Sequence, residues 1–203
     1  MKNYLFLGVS MFVLLSTACS TSPVLLSNEY TYIPDSGDNK ILSENLGKVC
    51  QLNIVSIKDV RSNHKYLGNL GLRPVYVDDI IEWIKNWIRI LEKDGYYVSF
   101  NQEDKEKKEK SIDVEIELKK AYIRSIATTK SSSLVLGVRF FKGQNLLNEL
   151  NYRGSDTCIN WASSEEEINN SFNRSFSSIL TQMRSDIESY CNEELHDKYK
   201  AEN

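Results

Sequence analysis

Two periodicities run along the chain. From Ile112 to Tyr122, the apolar residues Ile112, Val114, Ile116 and Leu118 alternate with Asp113, Glu115, Glu117 and Lys119. A period of two is that of a strand with one buried and one wet face. Ser131 to Phe141 repeats it with Leu134, Leu136, Val138 and Phe140. Lys142-Gly143-Gln144-Asn145 then predicts a tight turn, and Leu146 to Ser155 the returning strand of a hairpin. Val49 to Ile57 predicts an earlier strand on Leu52, Ile54 and Ile57, and Tyr96 to Phe100 a short one. The other period is helical. Ile80, Ile84, Trp87, Ile88 and Leu91 recur at helical spacing and predict a helix over 77–93, with Trp83 and Ile90 widening its stripe. Asp78 and Asp79 sit at its positive end and Gly95 is placed to end it. A long helix over 164–191 follows, with Ile168, Phe172, Ile179, Met183, Ile187 and Tyr190 on one face. Ser163 with Glu166, or Ser164 with Glu167, gives it a capping box. Asp59 to Pro74 reads as a loop, and Asn101 to Lys110 as a solvated charged loop.

The order β-α-β-β-β-β-α implies an α+β fold, a two-layer sandwich. Its sheet is expected to be mainly antiparallel, with about five strands and two helices on one face. This domain spans 47–192, and 193–203 form a charged tail. Residues 19–46 are rich in Ser, Thr and Asn and carry the Asp35-Ser36-Gly37-Asp38 turn, which reads as a flexible tether. Within it, Tyr30 to Ile33 is a candidate edge strand.

The N-terminus has the layout of a secretory signal. Lys2 supplies a positive charge, Tyr4 to Leu15 an apolar run too short to span a bilayer, and Ser16-Thr17-Ala18 a small-residue cleavage site. Leu15-Ser16-Thr17-Ala18-Cys19 resembles the bacterial lipobox, with Ser16 standing where that family prefers Leu. The resemblance implies that residues 1–18 are removed and that Cys19 receives a diacylglyceryl group on sulfur and an acyl chain on its new amine. Several chains on one residue make a stable membrane anchor. Ser20 resembles the residue found behind the anchor of outer-membrane lipoproteins in bacteria with two membranes.

Export changes how the other cysteines are read, because an exported chain sits in an oxidising compartment. Cys50, Cys158 and Cys191 remain. If the strand at 96–100 runs parallel to the first and the meander then alternates, Cys50 and Cys158 fall at one end of the sheet. The last helix carries Cys191 about 40 Å from its own start, at about 1.5 Å per residue. The expected pair is therefore Cys50–Cys158; the alternative is that all three thiols stay reduced. No Cys-x-x-Cys or His-rich spacing suggests a metal, and no cofactor loop is present. The net charge of −3 comes without a basic face, which argues against nucleic acid.

Three further residues invite a role in a loop or an interface. Asp59 and Arg61 are placed to hydrogen-bond their loop to its neighbours. Trp161, before the last helix, is expected either to pack as a staple or, if exposed, to mark an interface. A hydrolase could be imagined as a Ser-His-Asp site on His64 with Asp59, or as the carboxylate pair Glu115 and Glu117 on one strand face, and both are the less favoured readings.

Taken in order, the lipobox, Asp59-Val60-Arg61, Leu67-Gly68, Gly95-Tyr96 after the helix, the meander and Asn160-Trp161-Ala162 resemble the YajG-type lipoproteins of Gram-negative bacteria. The charged segment at 101–110 and the extra cysteines depart from that pattern. The resemblance implies an outer-membrane lipoprotein, its domain facing the periplasm, with no established activity. The expectation is a non-enzymatic module binding an envelope protein partner. A carrier or assembly factor for lipid or lipopolysaccharide is the alternative, and it would need an apolar groove between helix and sheet.

Overall fold

The computed structural model describes residues 22–26, 50–100, 111–161 and 164–201. The signal segment, Cys19, Tyr30–Ile33, the charged segment 101–110 and the Ser163–Glu166 cap lie outside them or depend on residues that do.

The fold is α+β: among the described residues, two helices pack on one face of an eight-stranded mixed sheet. The strands are β1 (Val24–Leu26), β2 (Gln51–Asp59), β3 (Tyr66–Leu70), β4 (Arg73–Val77), β5 (Tyr97–Ser99), β6 (Ser111–Ile126), β7 (Thr129–Lys142) and β8 (Asn145–Ile159). The helices are α1 (Ile80–Ile88), which tightens into a 3-10 segment over Arg89–Asp94, and α2 (Glu165–Ala201).

Side-chain alternation explains the layering. On β6, Ile112, Val114, Ile116 and Leu118 are buried while the residues between them stay open to solvent. On β7, Leu134, Leu136, Val138 and Phe140 are buried in the same layer. The apolar stripe of α1 (Ile80, Trp83, Ile84, Trp87 and Ile88) closes the layer from above. Asp79 caps the helix, accepting from the N–H groups of Ile81 and Glu82 at 3.0 Å each. Such a cap satisfies donors that the first turn leaves orphaned. The two helices meet through aromatic rings: Trp87 stacks on Phe176 at 4.3 Å and Trp83 meets Phe172 edge-on at 5.3 Å. The Trp87 indole N–H donates to Asn173 Oδ1 at 3.1 Å, so its polar atom is satisfied inside the core.

The sheet departs from expectation in four ways. It is mixed, with eight strands in place of about five. The segment from Asp59 to Pro74 holds the β3–β4 hairpin. Val24–Leu26, inside the expected tether, is an edge strand parallel to β4, with Val24 and Leu26 buried.

The fourth difference is one of direction. β5 does not lead into an antiparallel meander. It lies on one side of β2 and β6 on the other, both parallel to it. From β6 onward the strands alternate as expected.

β6 is the hub of this arrangement. Along one edge its first half pairs with β2, up to Asp59–Leu118, and its second half with β3, at Gly68–Ile123 and Asn69–Arg124. Its other edge pairs with β7 throughout. One strand leaves and another takes over midway, with a bulge in β6 at Lys119 next to the exchange. Gly68 sits at φ +130, and a Cβ there would lie 1.9 Å from the Ile123 carbonyl oxygen, so only glycine fits.

Candidate interaction face

The exchange between β2 and β3 leaves backbone carbonyls in need of donors, and the Asp59–Arg61 pair supplies them. Arg61 donates Nε and Nη2 to the two Asp59 oxygens at 2.8 and 2.7 Å. Its other N–H groups reach the carbonyls of Tyr66 (3.3 Å), Ala121 (3.4 Å) and His64. The two side chains are only 8% and 7% exposed. Burial alone would push the Asp59 carboxyl up. The hydrogen bonds from Arg61, with that from His64, outweigh it and hold the group below the usual carboxylate range. His64 Nδ1 lies 3.0 Å from Asp59 Oδ2 with a mostly exposed ring, so the Asp59 carboxylate is shared between Arg61 and His64.

This lock sets the height of Tyr66, whose N–H donates to Asn63 Oδ1 at 3.1 Å. Tyr66 and Tyr76 pack with ring centroids 5.9 Å apart, and Tyr122 stands close to them on the same side. Burial first, then these neighbouring phenols, raise the Tyr66 pKa.

The tyrosines belong to the sheet face that neither of the described helices covers. Between them and the other end of the face, polar residues are cross-linked strand to strand. Ser99 Oγ donates to Asn53 Oδ1 at 2.9 Å and Asn53 Nδ2 to Asp113 Oδ1 at 2.9 Å, joining β5, β2 and β6. Arg139 on β7 pairs with Glu115 at 2.7 Å and approaches Glu117 at 3.9 Å. Gly137 leaves the space in which Lys119 lies across β7, so that its Nζ reaches Asn151 Oδ1 on β8 at 2.9 Å. The face is thus of mixed charge and internally braced. Among the described residues, no group of three or more His, Cys, Asp or Glu is placed to hold a metal ion.

The expected Cys50–Cys158 pair is overturned: Cys50 is bonded to Cys191, with Cα atoms 6.0 Å apart, and Cys158 is a free thiol. The reason is the direction of β6. Because it runs parallel to β2, β8 ends at the opposite end of the sheet from Cys50, and α2 returns Cys191 to the end where Cys50 sits. A disulfide belongs to an oxidising compartment such as the bacterial envelope. Cys158 instead joins a polar cluster under α2. There Arg174 donates to both Asp156 oxygens at 2.9 Å and to Cys158 Sγ at 3.3 Å, and Ser171 donates to Asp156 at 2.7 Å. Burial would raise the Asp156 pKa, but these donors hold it below the usual range.

Trp161 is not a staple, being 82% exposed. The α2 cap is formed by Ser164, which accepts from the Glu167 N–H at 3.2 Å. Sequence reasoning missed the tyrosine group, because Tyr66 and Tyr76 lie on strands too short to show a period.

No protein-family model matches the chain, and no curated protein matches it in sequence. Solved structures resemble it at low identity. Protein XCC0632 from Xanthomonas campestris is 8% identical with a TM-score of 0.47, covering 89% of this chain and 100% of its own. A neuraminyllactose-binding hemagglutinin homolog from Helicobacter pylori is 13% identical with a TM-score of 0.38, covering 85% of this chain and 100% of its own. Lipoprotein GNA1162 from Neisseria meningitidis is 12% identical with a TM-score of 0.32, covering 68% of this chain and 99% of its own.

Proposed function

We propose that this protein is a lipid-anchored, non-enzymatic lipoprotein of the bacterial outer membrane, similar to the YajG type, whose domain faces the periplasm and binds an envelope protein. The observation that carries the reading is the sheet face that, among the described residues, no helix covers. A two-layer fold buries one side of its sheet under helices and leaves the other for contact. Here that side presents Tyr66, Tyr76 and Tyr122 beside the Glu115, Glu117 and Arg139 group. Tyrosine and arginine are enriched where protein surfaces meet.

The test is photo-cross-linking in intact cells. A photoreactive residue at Glu117 or Tyr122 is expected to give a discrete protein adduct, and one at Ser178, exposed on the outer side of α2, is not. Adducts equal at all three positions, or none from the sheet face, would sink the reading. The anchor is tested separately by Cys19→Ser and fractionation: a variant still tightly membrane-bound shows that the anchor lies elsewhere.

The lipid-carrier alternative requires an apolar groove between helix and sheet. The side chains that would line it, Trp83 and Trp87, are instead packed against Phe172 and Phe176, so no observation favours it.

A further inference from the structure

One end of the sheet carries a row of exposed apolar side chains. Leu72 in the β3–β4 turn is 87% exposed, Ile126 at the end of β6 60%, Ile159 at the end of β8 55%, and Trp161 follows two residues later. Hydrogen bonding places all four on one rim. The Gly71 N–H donates to Ser125 Oγ at 2.8 Å, which sets Leu72 beside Ile126. Ile126 and Ile159 both pair with Thr129, so they lie one strand to either side of it. The Asn160 N–H donates to the Thr128 carbonyl at 2.8 Å, which holds the start of the Trp161 segment against the same turn. Isolated exposed apolar residues are ordinary, but a contiguous row of them with a tryptophan marks a contact surface.

The first described strand, β1, begins at this rim. β1 runs parallel to β4, so it starts where β4 starts, at Arg73, next to Leu72. Arg73 Nε donates to the Ser22 carbonyl at 3.2 Å and pins the chain there. Cys19 lies three residues before Ser22. Extended chain reaches at most about 3.6 Å per residue, so the Cys19 sulfur lies within roughly 11 Å of the pinned backbone, give or take its own side chain.

We infer that this rim seats on the bilayer that holds the Cys19 lipid, with Leu72, Ile126, Ile159 and Trp161 in the interfacial region. The inference rests on the lipid-anchor reading of Cys19. It replaces the picture of a domain standing off on a long leash: Ser22 is pinned beside the apolar row, and only two residues separate it from Cys19. Tryptophan favours the headgroup level, where its ring is apolar and its N–H wet. The rim carries Arg73 and Arg124 but also Glu165 and Glu166, so contact depends on apolar insertion more than on anionic lipid. The Cys50–Cys191 end of the domain then points away from the membrane.

Trp161 reports on this directly, because the other two tryptophans, Trp83 and Trp87, are buried. The lipoprotein is purified from membranes in detergent and reconstituted into phosphatidylcholine vesicles, with or without bromine on the acyl chains. The expected result is co-flotation, quenching of fluorescence by the brominated lipid, and a several-fold fall in acrylamide quenching relative to detergent-free protein lacking its lipid. Trp161→Phe should abolish both effects. Ile126→Asp, at another point of the rim, should restore acrylamide access while the protein still floats. A wild-type protein that floats with Trp161 fully open to acrylamide overturns the seating and leaves the anchor intact, including the case in which the rim serves a protein partner. A protein that does not float overturns the anchor reading and the inference with it.

Discussion

Asp59 is the residue on which the branch of the sheet turns, because its carboxylate fixes Arg61 and Arg61 holds carbonyls on both β3 and β6. Neutralising it leaves a buried guanidinium without its counter-charge, and breaking a buried pair from one side costs about 3–5 kcal/mol. Asp59→Asn is therefore expected to lower unfolding free energy by about 3 kcal/mol at neutral pH, read by urea denaturation. The pH dependence has a definite sign. The folded-state pKa lies below the unfolded one, so the stabilisation is complete above about pH 4–5 and is lost as pH falls through the lower, folded value. The gap between wild type and Asp59→Asn should thus stay constant near neutrality and close below about pH 4. Asp156, shifted in the same direction, is present in both proteins and drops out of the difference. A gap that widened on acidification would show that Asp59 does not carry the charge of the lock. His64→Ala, which removes a mostly exposed partner, is expected to cost far less.

At the scale of elements, strands and helices with a full period were legible and short ones were not. β6 and β7, at 16 and 14 residues, alternate long enough to declare both their faces, and α1 carries its stripe over consecutive turns. β3 and β4 have five residues each, with Gly68 inside one and Pro74 inside the other, residues that ordinarily argue against a strand. β1 has three residues and is defined by its partner rather than by its own pattern. Contact between elements is equally invisible in a periodicity. Gly154 looks like a weak point of β8, yet it is where α2 comes closest: a Cβ there would lie 1.8 Å from the Ser175 carbonyl oxygen. Backbone cannot yield as a side-chain tip can, so Gly154→Ala is expected to cost about 3 kcal/mol, the upper end for overpacking. Gly71→Ala is the control. It sits at φ +62 with nothing within 4 Å, so it should lose only about 1 kcal/mol of backbone strain. Thermal melts of the two variants separate the cases, and equal losses would mean that α2 can lift off β8 freely.

At the scale of the whole molecule, the path of the chain rests on one parity. The existence of the longer strands was readable, but whether β6 runs with or against its predecessor was not, because alternation is the same in both directions. That single choice decides which end of the sheet receives each later element, and hence which cysteines meet. With β6 parallel to β2, β8 ends beyond Cys50's reach and α2 brings Cys191 back to it. The bond spans 141 residues, joining the start of β2 to a late turn of α2. Closing so long a loop restricts the unfolded chain by an amount worth about 4–5 kcal/mol in the chain-entropy model, with about 2–4 typical of measured cases. Cys50→Ser and Cys191→Ser are each expected to lose about 2–4 kcal/mol by urea denaturation. Dithiothreitol should impose a like loss on wild type and on Cys158→Ser, and nothing further on the two disulfide variants. The pattern across variants matters more than its size, since only the parallel placement of β6 makes Cys50 and Cys191 equivalent and Cys158 silent. A non-reducing peptide map that joined Cys50 to Cys158 would require β8 to end beside Cys50, and so would reverse the direction of β6 and everything after it.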